Sequence, residues 1–160
     1  RNRSANAHRE MLMNFQFKKS HESAKMPIRS TNEAACYDVF ALEDMVLKTG
    51  VNKLDTGLVV DYIPPGWEIQ VRSRSGLASK GVTVANAPGT IDSDYRDAVH
   101  VLLFKHEYAD VLSIKAGDRI AQLAFREVPT VGVWDSTGKY PVLVPQPDVQ
   151  RKGGFGSTGR

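Results

Sequence analysis

The sequence predicts an all-β protein, a jelly-roll-like β-barrel or sandwich with one short helix and an extended C-terminal arm. Many short runs of β-branched and apolar residues alternate with turn signals such as Pro64-Pro65-Gly66, at a spacing of about ten residues. Almost no stretch has the 3.6-residue period of a helix. A length of 160 residues, with 41% hydrophobic and 24% charged residues, fits one globular domain and excludes wholesale disorder.

The predicted strands begin near residue 14, where apolar and polar residues start to alternate. Residues 67–72 alternate strictly, which predicts a half-buried strand, and residues 98–104 place Val99, Val101 and Leu103 on one face. Residues 75–80 predict the one helical segment, with Ser75 as its expected N-cap. Further strands are predicted at 58–60, 82–84, 111–114, 120–125 and 131–134, and further turns at 56–57, 87–89, 115–118 and 137–138.

The two ends of the chain differ from its middle. Residues 1–12 predict a disordered extension, residues 13–140 the folded domain, and residues 141–160 a Pro-rich arm that ends in a Gly-rich flap. The single cysteine, Cys36, is interpreted as a small core residue; it excludes an intrachain disulfide and favours an intracellular location, in cytoplasm or nucleus. The formal net charge of +3 does not require nucleic acid, and no apolar run or signal pattern indicates a membrane.

Arg74-Ser75-Gly76, where a predicted strand meets the helix, is a candidate anion site. The first backbone N–H groups of a helix have no intrahelical acceptor, glycine allows a ligand to approach closely, and the arginine adds positive charge. A capped helix with a surface arginine explains the same residues. The segment alone leaves both interpretations open.

Residues 86–97 carry three carboxylates within six residues and predict a polar hairpin. A calcium-binding EF-hand loop is excluded, because Arg96 stands where a ligand is needed and Asp97 where glycine is needed. A hairpin that projects Asp92 and Tyr95 to one side would place a general base near an aromatic ring. Aspartates that only satisfy turn backbone are the alternative.

Gln122 lies among apolar neighbours on a predicted strand, so it needs a hydrogen-bond partner, either backbone or a ligand. The spacing Gly154-x-Gly156-x-x-Gly159 matches a dinucleotide fingerprint only formally, because it lacks the strand and helix that the fingerprint requires. An anion-binding flap carrying Phe155 remains, with a disordered tail as the alternative. The four histidines have no metal-ligand spacing.

Taken in order, five segments resemble the trimeric dUTP pyrophosphatase (dUTPase) family over about residues 13–160. They are residues 34–39 (AACYDV), 74–78 (RSGLA), 89–96 (GTIDSDYR), 117–123 (GDRIAQL) and 153–159 (GGFGSTG). Each segment alone is weak, whereas all five in this order are specific. The resemblance implies a β jelly roll that forms a homotrimer with active sites at subunit boundaries, and hydrolysis of dUTP to dUMP and pyrophosphate with Mg²⁺.

Residue by residue, the resemblance implies that Asp92 is the general base, which activates the water that attacks the α-phosphorus. Asp38 would hold the water shell of Mg²⁺ without binding the metal directly. Ser75 and Gly76 would cradle the phosphates, supported by Arg74. The other implied contacts are those of Asn86, Gly89, Thr90, Ile91 and the His100 backbone with uracil, of Tyr95 with deoxyribose, and of Gln122 with a phosphate and a water.

In the tail, the resemblance implies that Phe155 stacks on uracil, with Gly156 beside it, and that Ser157 contacts a phosphate. The family usually places an arginine five residues before that phenylalanine, where this chain has Gln150. Arg151, one position later, would then contact the γ-phosphate.

Two positions depart from the family pattern, since Cys36 and Asp97 stand where glycine is usual. Two other functions are weighed against the dUTPase. A related dCTP deaminase shares the jelly roll, but no deamination constellation is visible and the Gly-rich tail favours the pyrophosphatase. A nucleotide-sensing regulator would use the same pocket to bind protein partners, and only the basic N-terminal extension hints at it.

Overall fold

The computed structural model describes residues 13–132, 136 and 137 of the chain. These residues form short strands and one helix, numbered here in chain order. They are β1 (Gln16–Lys19), β2 (Tyr37–Phe40), β3 (Met45–Val46), β4 (Gly50–Tyr62), β5 (Trp67–Arg72), α1 (Ser75–Ala78), β6 (Val82–Val84), β7 (Gly89–Ile91), β8 (Ala98–Lys105), β9 (Ser113–Ile114) and β10 (Arg119–Glu127).

The strands form two four-stranded sheets and one two-stranded sheet, all antiparallel. Sheet A has the order β1-β4-β8-β6, sheet B has the order β2-β10-β5-β7, and β3 pairs with β9. Because α1 is only one turn long, sheets A and B bury their apolar faces mainly against each other. The predicted all-β, jelly-roll-like sandwich is confirmed.

The core lies between the two sheets and follows the predicted alternation. In β8, Val99, Val101 and Leu103 are buried, and the residues between them are half-buried. In β5, Ile69 and Val71 are buried in the same way. Burying an aliphatic side chain of this size contributes about 1.5–3 kcal/mol to folding, so these strands anchor the sheets that carry the site.

β4 is longer than predicted because Thr56-Gly57 lies inside the strand rather than in a turn. Gly57 has a φ of +68°, and the register between β4 and β8 shifts at this point, which marks a β-bulge. A Cβ atom on Gly57 would lie 2.7 Å from the Ala24 Cβ and 2.9 Å from the Leu42 Cδ1. Gly57 therefore both forms the bulge and allows close packing. In the sequence alone, the same glycine indicates a turn.

Several other details differ from the predictions. Only Ser113–Ile114 of the predicted strand 111–114 is a strand, and residues 131–132 are not in one. Strands β2, β3 and β7 have no counterpart among the predicted strands. Cys36 is half-buried, so its assignment to the core was wrong.

The predicted extension 1–12, the arm and flap 141–160 and Trp134 lie outside the described residues. Among the residues that are described, no helix has the length and apolar character needed to span a membrane.

Candidate active site

Sheet B brings three of the predicted site residues together. Asp38 on β2 lies directly opposite Gln122 on β10, and Gln122 lies opposite Arg72 on β5. Arg74 follows the end of β5 by two residues and reaches back to Asp38. The predicted metal-associated carboxylate, the strand amide and the arginine of the anion site therefore meet at one end of sheet B.

Asp38 is the centre of this group, and its side chain is only 2% exposed. Its Oδ1 lies 3.1 Å from Gln122 Nε2 and 3.4 Å from Arg74 Nε. Its Oδ2 accepts hydrogen bonds from Ser30 Oγ at 2.8 Å and from Arg119 Nη1 at 3.3 Å. We name these five residues the Asp38 cluster.

The electrostatics of the Asp38 cluster keep the Asp38 carboxyl ionised and favour the binding of an anionic ligand. Burial alone raises the pKa of the Asp38 carboxyl, but hydrogen bonds from Ser30, Gln122 and Arg119 and the charge of Arg74 outweigh it and hold the pKa below the usual value. Asp38 is therefore ionised at neutral pH. Two guanidinium groups facing one carboxylate leave the cluster with net positive charge, which attracts a phosphate.

Arg74 is held from two sides. Its Nε faces Asp38, and its Nη1 donates a hydrogen bond to the backbone carbonyl of Arg119 at 2.9 Å. A guanidinium has five N–H donors, so these contacts fix the direction of the side chain and leave further donors for a ligand.

The short helix begins one residue earlier than predicted. Arg74, not Ser75, is the N-cap; its carbonyl accepts hydrogen bonds from the Leu77 and Ala78 amides, and no side chain caps the helix. Ser75 is instead the first helical residue, and both it and Gly76 are exposed. A Cβ atom on Gly76 would meet no atom within 4 Å, so open space lies beside this backbone.

The predicted uracil hairpin lies at the edge of sheet B. Gly89, Thr90 and Ile91 form β7, which pairs with β5 on one side and is the last strand of the sheet on the other. An edge strand directs backbone N–H and C=O groups outward, and such groups can be matched to a nucleobase. The exposed Asn86 side chain lies against Gly89, where a Cβ atom would be 3.0 Å from Asn86 Nδ2.

The turn after β7 fixes Tyr95. The Tyr95 amide donates to the Asp92 carbonyl at 3.1 Å, and the Tyr95 hydroxyl donates to the Ala98 carbonyl at 2.7 Å. Its half-buried ring packs against the core, and burial, followed by the nearby Asp97 charge, raises its pKa. Tyr95 is therefore a neutral, oriented ring at the tip of the hairpin.

Asp92 and the Asp38 cluster are separated within one chain. Because β7 runs antiparallel to β5, Gly89 pairs with Val71 near the cluster, while Ile91 pairs with Ile69 further away. Asp92 follows Ile91 by one residue. It therefore lies about four residues along the sheet from the position at which Gln122 pairs with β5, or about 13 Å at the usual rise of a strand. His100 lies on β8 in sheet A, also apart from the cluster.

Sequence reasoning missed two members of the Asp38 cluster. Arg119 lies within the segment 117–123 that carries Gln122, but no role was assigned to it, because its contact with Asp38 depends on the pairing of β10 with β2. Ser30 lies in a loop with no motif, and only the bridge between Ile28 and Asp38 places it over the carboxylate. No local signal could have identified it. Arg151, Phe155, Gly156 and Ser157 lie outside the described residues.

The predicted metal role of Asp38, which acts through the water shell of Mg²⁺, stays a prediction. A carboxylate offers about four lone-pair positions, and four protein donors already surround Asp38. Across residues 13–132, 136 and 137, no group of three or more histidine, cysteine or acidic side chains could hold a metal ion.

Comparison with known sequences gives consistent results. The sequence profile of the dUTPase family matches residues 22–159. A deoxyuridine 5'-triphosphate nucleotidohydrolase from Nautilia profundicola is 42% identical over 151 residues, covering 92% of this chain and 100% of that protein. A protein of the same name from Wolbachia pipientis subsp. Culex pipiens is 43% identical over 148 residues, covering 89% of this chain and 93% of that protein.

Solved structures give the same result for the fold. A dUTPase from phage phi11 of S. aureus, whose structure details the coordination of a structural Mg(II) ion, superposes with a TM-score of 0.67 at 25% identity and covers 76% of this chain and 95% of its own. The Staphylococcus bacteriophage 80alpha dUTPase, solved with dUpNHpp, also has a TM-score of 0.67 at 25% identity, with 92% and 99% covered. The sandwich of sheets A and B is shared with these proteins.

Proposed function

This chain belongs to the dUTPase family and is an enzyme that hydrolyses dUTP to dUMP and pyrophosphate. We propose that Asp92 is its general base and that the Asp38 cluster binds the phosphates. The observation that carries the site assignment is the convergence of Asp38, Arg74 and Gln122, predicted from three separate segments, on one positively charged end of sheet B.

Binding of the triphosphate follows from the charge and the free donors of this end. The substrate carries several negative charges, and its cleavage depends mainly on positioning and on stabilising developing charge. Arg74 keeps unused N–H donors, and the Ser75 and Gly76 amides, at the exposed start of α1, have no intrahelical acceptor. These groups would hold the β- and γ-phosphates.

The bond change requires a base and a leaving group on opposite sides of the α-phosphorus. Asp92 takes a proton from water, the water oxygen forms a bond to the α-phosphorus, and the bond to the pyrophosphate oxygen breaks. The pyrophosphate leaves with the electron pair and is stabilised at the Asp38 cluster. The reaction consumes one water and needs no redox partner.

Discrimination of the nucleoside is assigned to the hairpin. The outward backbone edge of β7 would match the donors and acceptors of uracil, with Asn86 and the His100 backbone completing that pocket. The Tyr95 ring would lie under deoxyribose and leave no room for a 2′-hydroxyl. Its hydrogen bond to the Ala98 carbonyl holds the ring in place.

Tyr95→Ala is expected to raise kcat/KM for UTP relative to dUTP by about tenfold or more, because the ring that excludes the 2′-hydroxyl is gone. Steady-state kinetics with both nucleotides measure the ratio. Tyr108→Ala is the matched control, since Tyr108 is 75% exposed and stacks on His106 instead of lying in the hairpin. An unchanged ratio in Tyr95→Ala would assign the sugar discrimination to another residue.

We further propose that three copies assemble and that each site combines residues of different copies. The separation of Asp92 from the Asp38 cluster within one chain supports this, because both groups must reach one triphosphate. The outer face of sheet A offers apolar surface for assembly: Val51 is 60% exposed and lies opposite Phe104. Sedimentation equilibrium should give the mass of three chains.

Mg²⁺ is proposed as the cofactor; the phage phi11 relative coordinates an Mg(II) ion that is described as structural. Mg²⁺ usually keeps several waters and binds substrate phosphates, and on these phosphates it would neutralise negative charge. Asp38 stays the proposed holder of its water shell, and no step is assigned to the metal.

The flap residues Arg151, Phe155, Gly156 and Ser157 remain proposed contacts to the γ-phosphate and to uracil. The division into a 1–12 extension, a 13–140 domain and a 141–160 arm and flap is also a proposal that rests on composition. The intracellular location stays a prediction from the single cysteine. The expected lack of nucleic-acid and membrane partners also stays a prediction, from the net charge and the lack of a long apolar run.

The full chain should be incubated with Mg²⁺ and, in parallel, with dUTP, dCTP or UTP, and the products separated by chromatography. We expect dUMP and pyrophosphate from dUTP and much slower turnover of UTP. Deamination of dCTP would identify a dCTP deaminase instead. Negligible turnover of all three, together with a protein partner that dUTP displaces, would identify a nucleotide-sensing regulator.

A further inference from the structure

The Oδ2 side of Asp38 is held by two residues outside the assigned substrate contacts. The Ser30 hydroxyl donates to Oδ2 at 2.8 Å and accepts from Arg119 Nη1 at 3.3 Å, while the same Nη1 also donates to Oδ2 at 3.3 Å. Ser30, Arg119 and the carboxylate oxygen therefore form a closed triangle of hydrogen bonds. Such mutual contacts fix the rotation of the carboxylate, not only its position.

The backbone holds this triangle in place. Ile28 and Asp38 exchange two backbone hydrogen bonds, of 3.2 Å and 2.7 Å, which pin the loop before β2 beside the carboxylate. Ser30 follows Ile28 by two residues and so reaches Asp38. Arg119 begins β10, where it lies opposite Phe40 of β2.

The Oδ1 side of the same carboxylate orients the two groups that would face the phosphates. Arg74 Nε and Gln122 Nε2 both approach Oδ1, and the Arg119 carbonyl holds Arg74 a second time. If the carboxylate turned, Arg74 and Gln122 would lose the atom that directs them. The contacts of Ser30 and Arg119 on one oxygen thus set the geometry at the other.

We infer that Ser30 and Arg119 are positioning residues for hydrolysis, which act through Asp38 to aim Arg74 and Gln122 at the substrate phosphates. This inference rests on the proposed phosphate-binding role of the Asp38 cluster. It assigns a function to a loop serine that belongs to none of the five sequence segments. It also gives Asp38 an orienting task that requires no metal.

Ser30→Ala should lower kcat/KM for dUTP about tenfold, as expected for loss of a hydrogen bond to a charged group. Ser30→Thr keeps the hydroxyl and should recover most of the activity. Ser23→Ala is the matched control, because Ser23 is exposed in the same loop region and its side chain makes no hydrogen bond within the described residues. Arg119→Met, which keeps the backbone carbonyl for Arg74, tests the second residue if Ser30→Ala does not fold.

The informative measurement compares the binding of ligands with and without the β- and γ-phosphates. Titration calorimetry with dUpNHpp and with dUMP should show weaker binding of the triphosphate analogue to Ser30→Ala and nearly unchanged binding of dUMP. A melting temperature close to that of the wild type should accompany this split. Equal loss for both ligands, or wild-type kinetics in Ser30→Ala and Arg119→Met, would overturn the inference. A wild-type chain that does not hydrolyse dUTP would overturn the proposed function itself.

Discussion

Asp92→Asn is expected to lower kcat for dUTP by about 10³-fold while changing the Kd for dUpNHpp by less than about threefold. A positioned general base contributes about 10²- to 10⁴-fold to proton transfer, and the amide of asparagine has the same shape but cannot accept the proton. Binding should survive because the phosphates are assigned to the Asp38 cluster and the base to the β7 edge. Single-turnover kinetics and calorimetry measure the two quantities separately.

The neighbouring Asp94 supplies the control for this experiment. Asp94→Asn removes one carboxylate from the same hairpin, at an exposed position two residues away, so it matches the change in charge. Activity close to the wild type is expected for this control. If Asp92→Asn keeps activity comparable to the wild type, Asp92 is not the base. If both variants lose activity equally, the loss reflects the charge of the hairpin and not a base at Asp92.

The fold could be predicted where burial alternates along one strand. Residues 67–72 and 98–104 show this pattern, and both are strands with the expected buried face. β2 lacks the pattern because three consecutive residues, Asp38, Val39 and Phe40, are buried, one of them charged. Only residues 58–60 of β4 were predicted, after a turn at 56–57, because a glycine that serves a bulge resembles a glycine that serves a turn.

The candidate site could be predicted as residue types but not as contacts. Arg74 and Gln122 were candidates from their local sequence, and Asp38 was identified through the family resemblance. Their mutual contacts depend on the strand order β2-β10-β5, which joins segments far apart in sequence. Gln122 was expected to bind backbone or a ligand, and its partner in the structure is the Asp38 carboxylate. Ser30 could be found only from the structure, because a bridge between two non-neighbouring backbone segments brings it there.

Asp38→Asn is expected to lower kcat/KM for dUTP by about 10²-fold, because Arg74 and Arg119 lose the negative charge that they share and one of the two acceptor oxygens is replaced by an NH2 donor. Removing one partner of a buried charge pair is costly, so the free energy of unfolding should fall as well, and assays belong well below the melting temperature of the variant. Asp44→Asn is the control, since Asp44 also pairs with a cation, Lys115, but is 60% exposed. The Mg²⁺ concentration for half-maximal activity tests the metal role of Asp38: a large increase in Asp38→Asn would support that role, and an unchanged value would leave Asp38 only its orienting role.

The dependence of the free energy of unfolding on pH, below neutral pH, tests the contribution of the Asp38 carboxylate and predicts its direction. The folded pKa of Asp38 is lowered, so the stabilisation from its ionised form is complete above the unfolded pKa of about 3.9 and is lost as the pH falls toward the folded value. Asparagine does not titrate. The stability difference between the wild type and Asp38→Asn should therefore be largest near neutral pH and should narrow below about pH 4. A difference that is constant with pH would show that the carboxylate charge does not stabilise the fold.

Mixing the two inactive variants distinguishes a site within one chain from a site shared between copies. If each site takes Asp92 from one copy and the Asp38 cluster from another, an equal, randomly assembled mixture of Asp92→Asn and Asp38→Asn chains regains about a quarter of the wild-type sites. Only the arrangement in which the first copy keeps Asp92 and the second keeps Asp38 is complete. If both groups act within one chain, every site in the mixture lacks one of them and activity stays at the level of the single variants. Co-refolding the two chains and measuring dUTP turnover against each variant alone therefore decides whether the gap of about 13 Å along sheet B is bridged by a second copy.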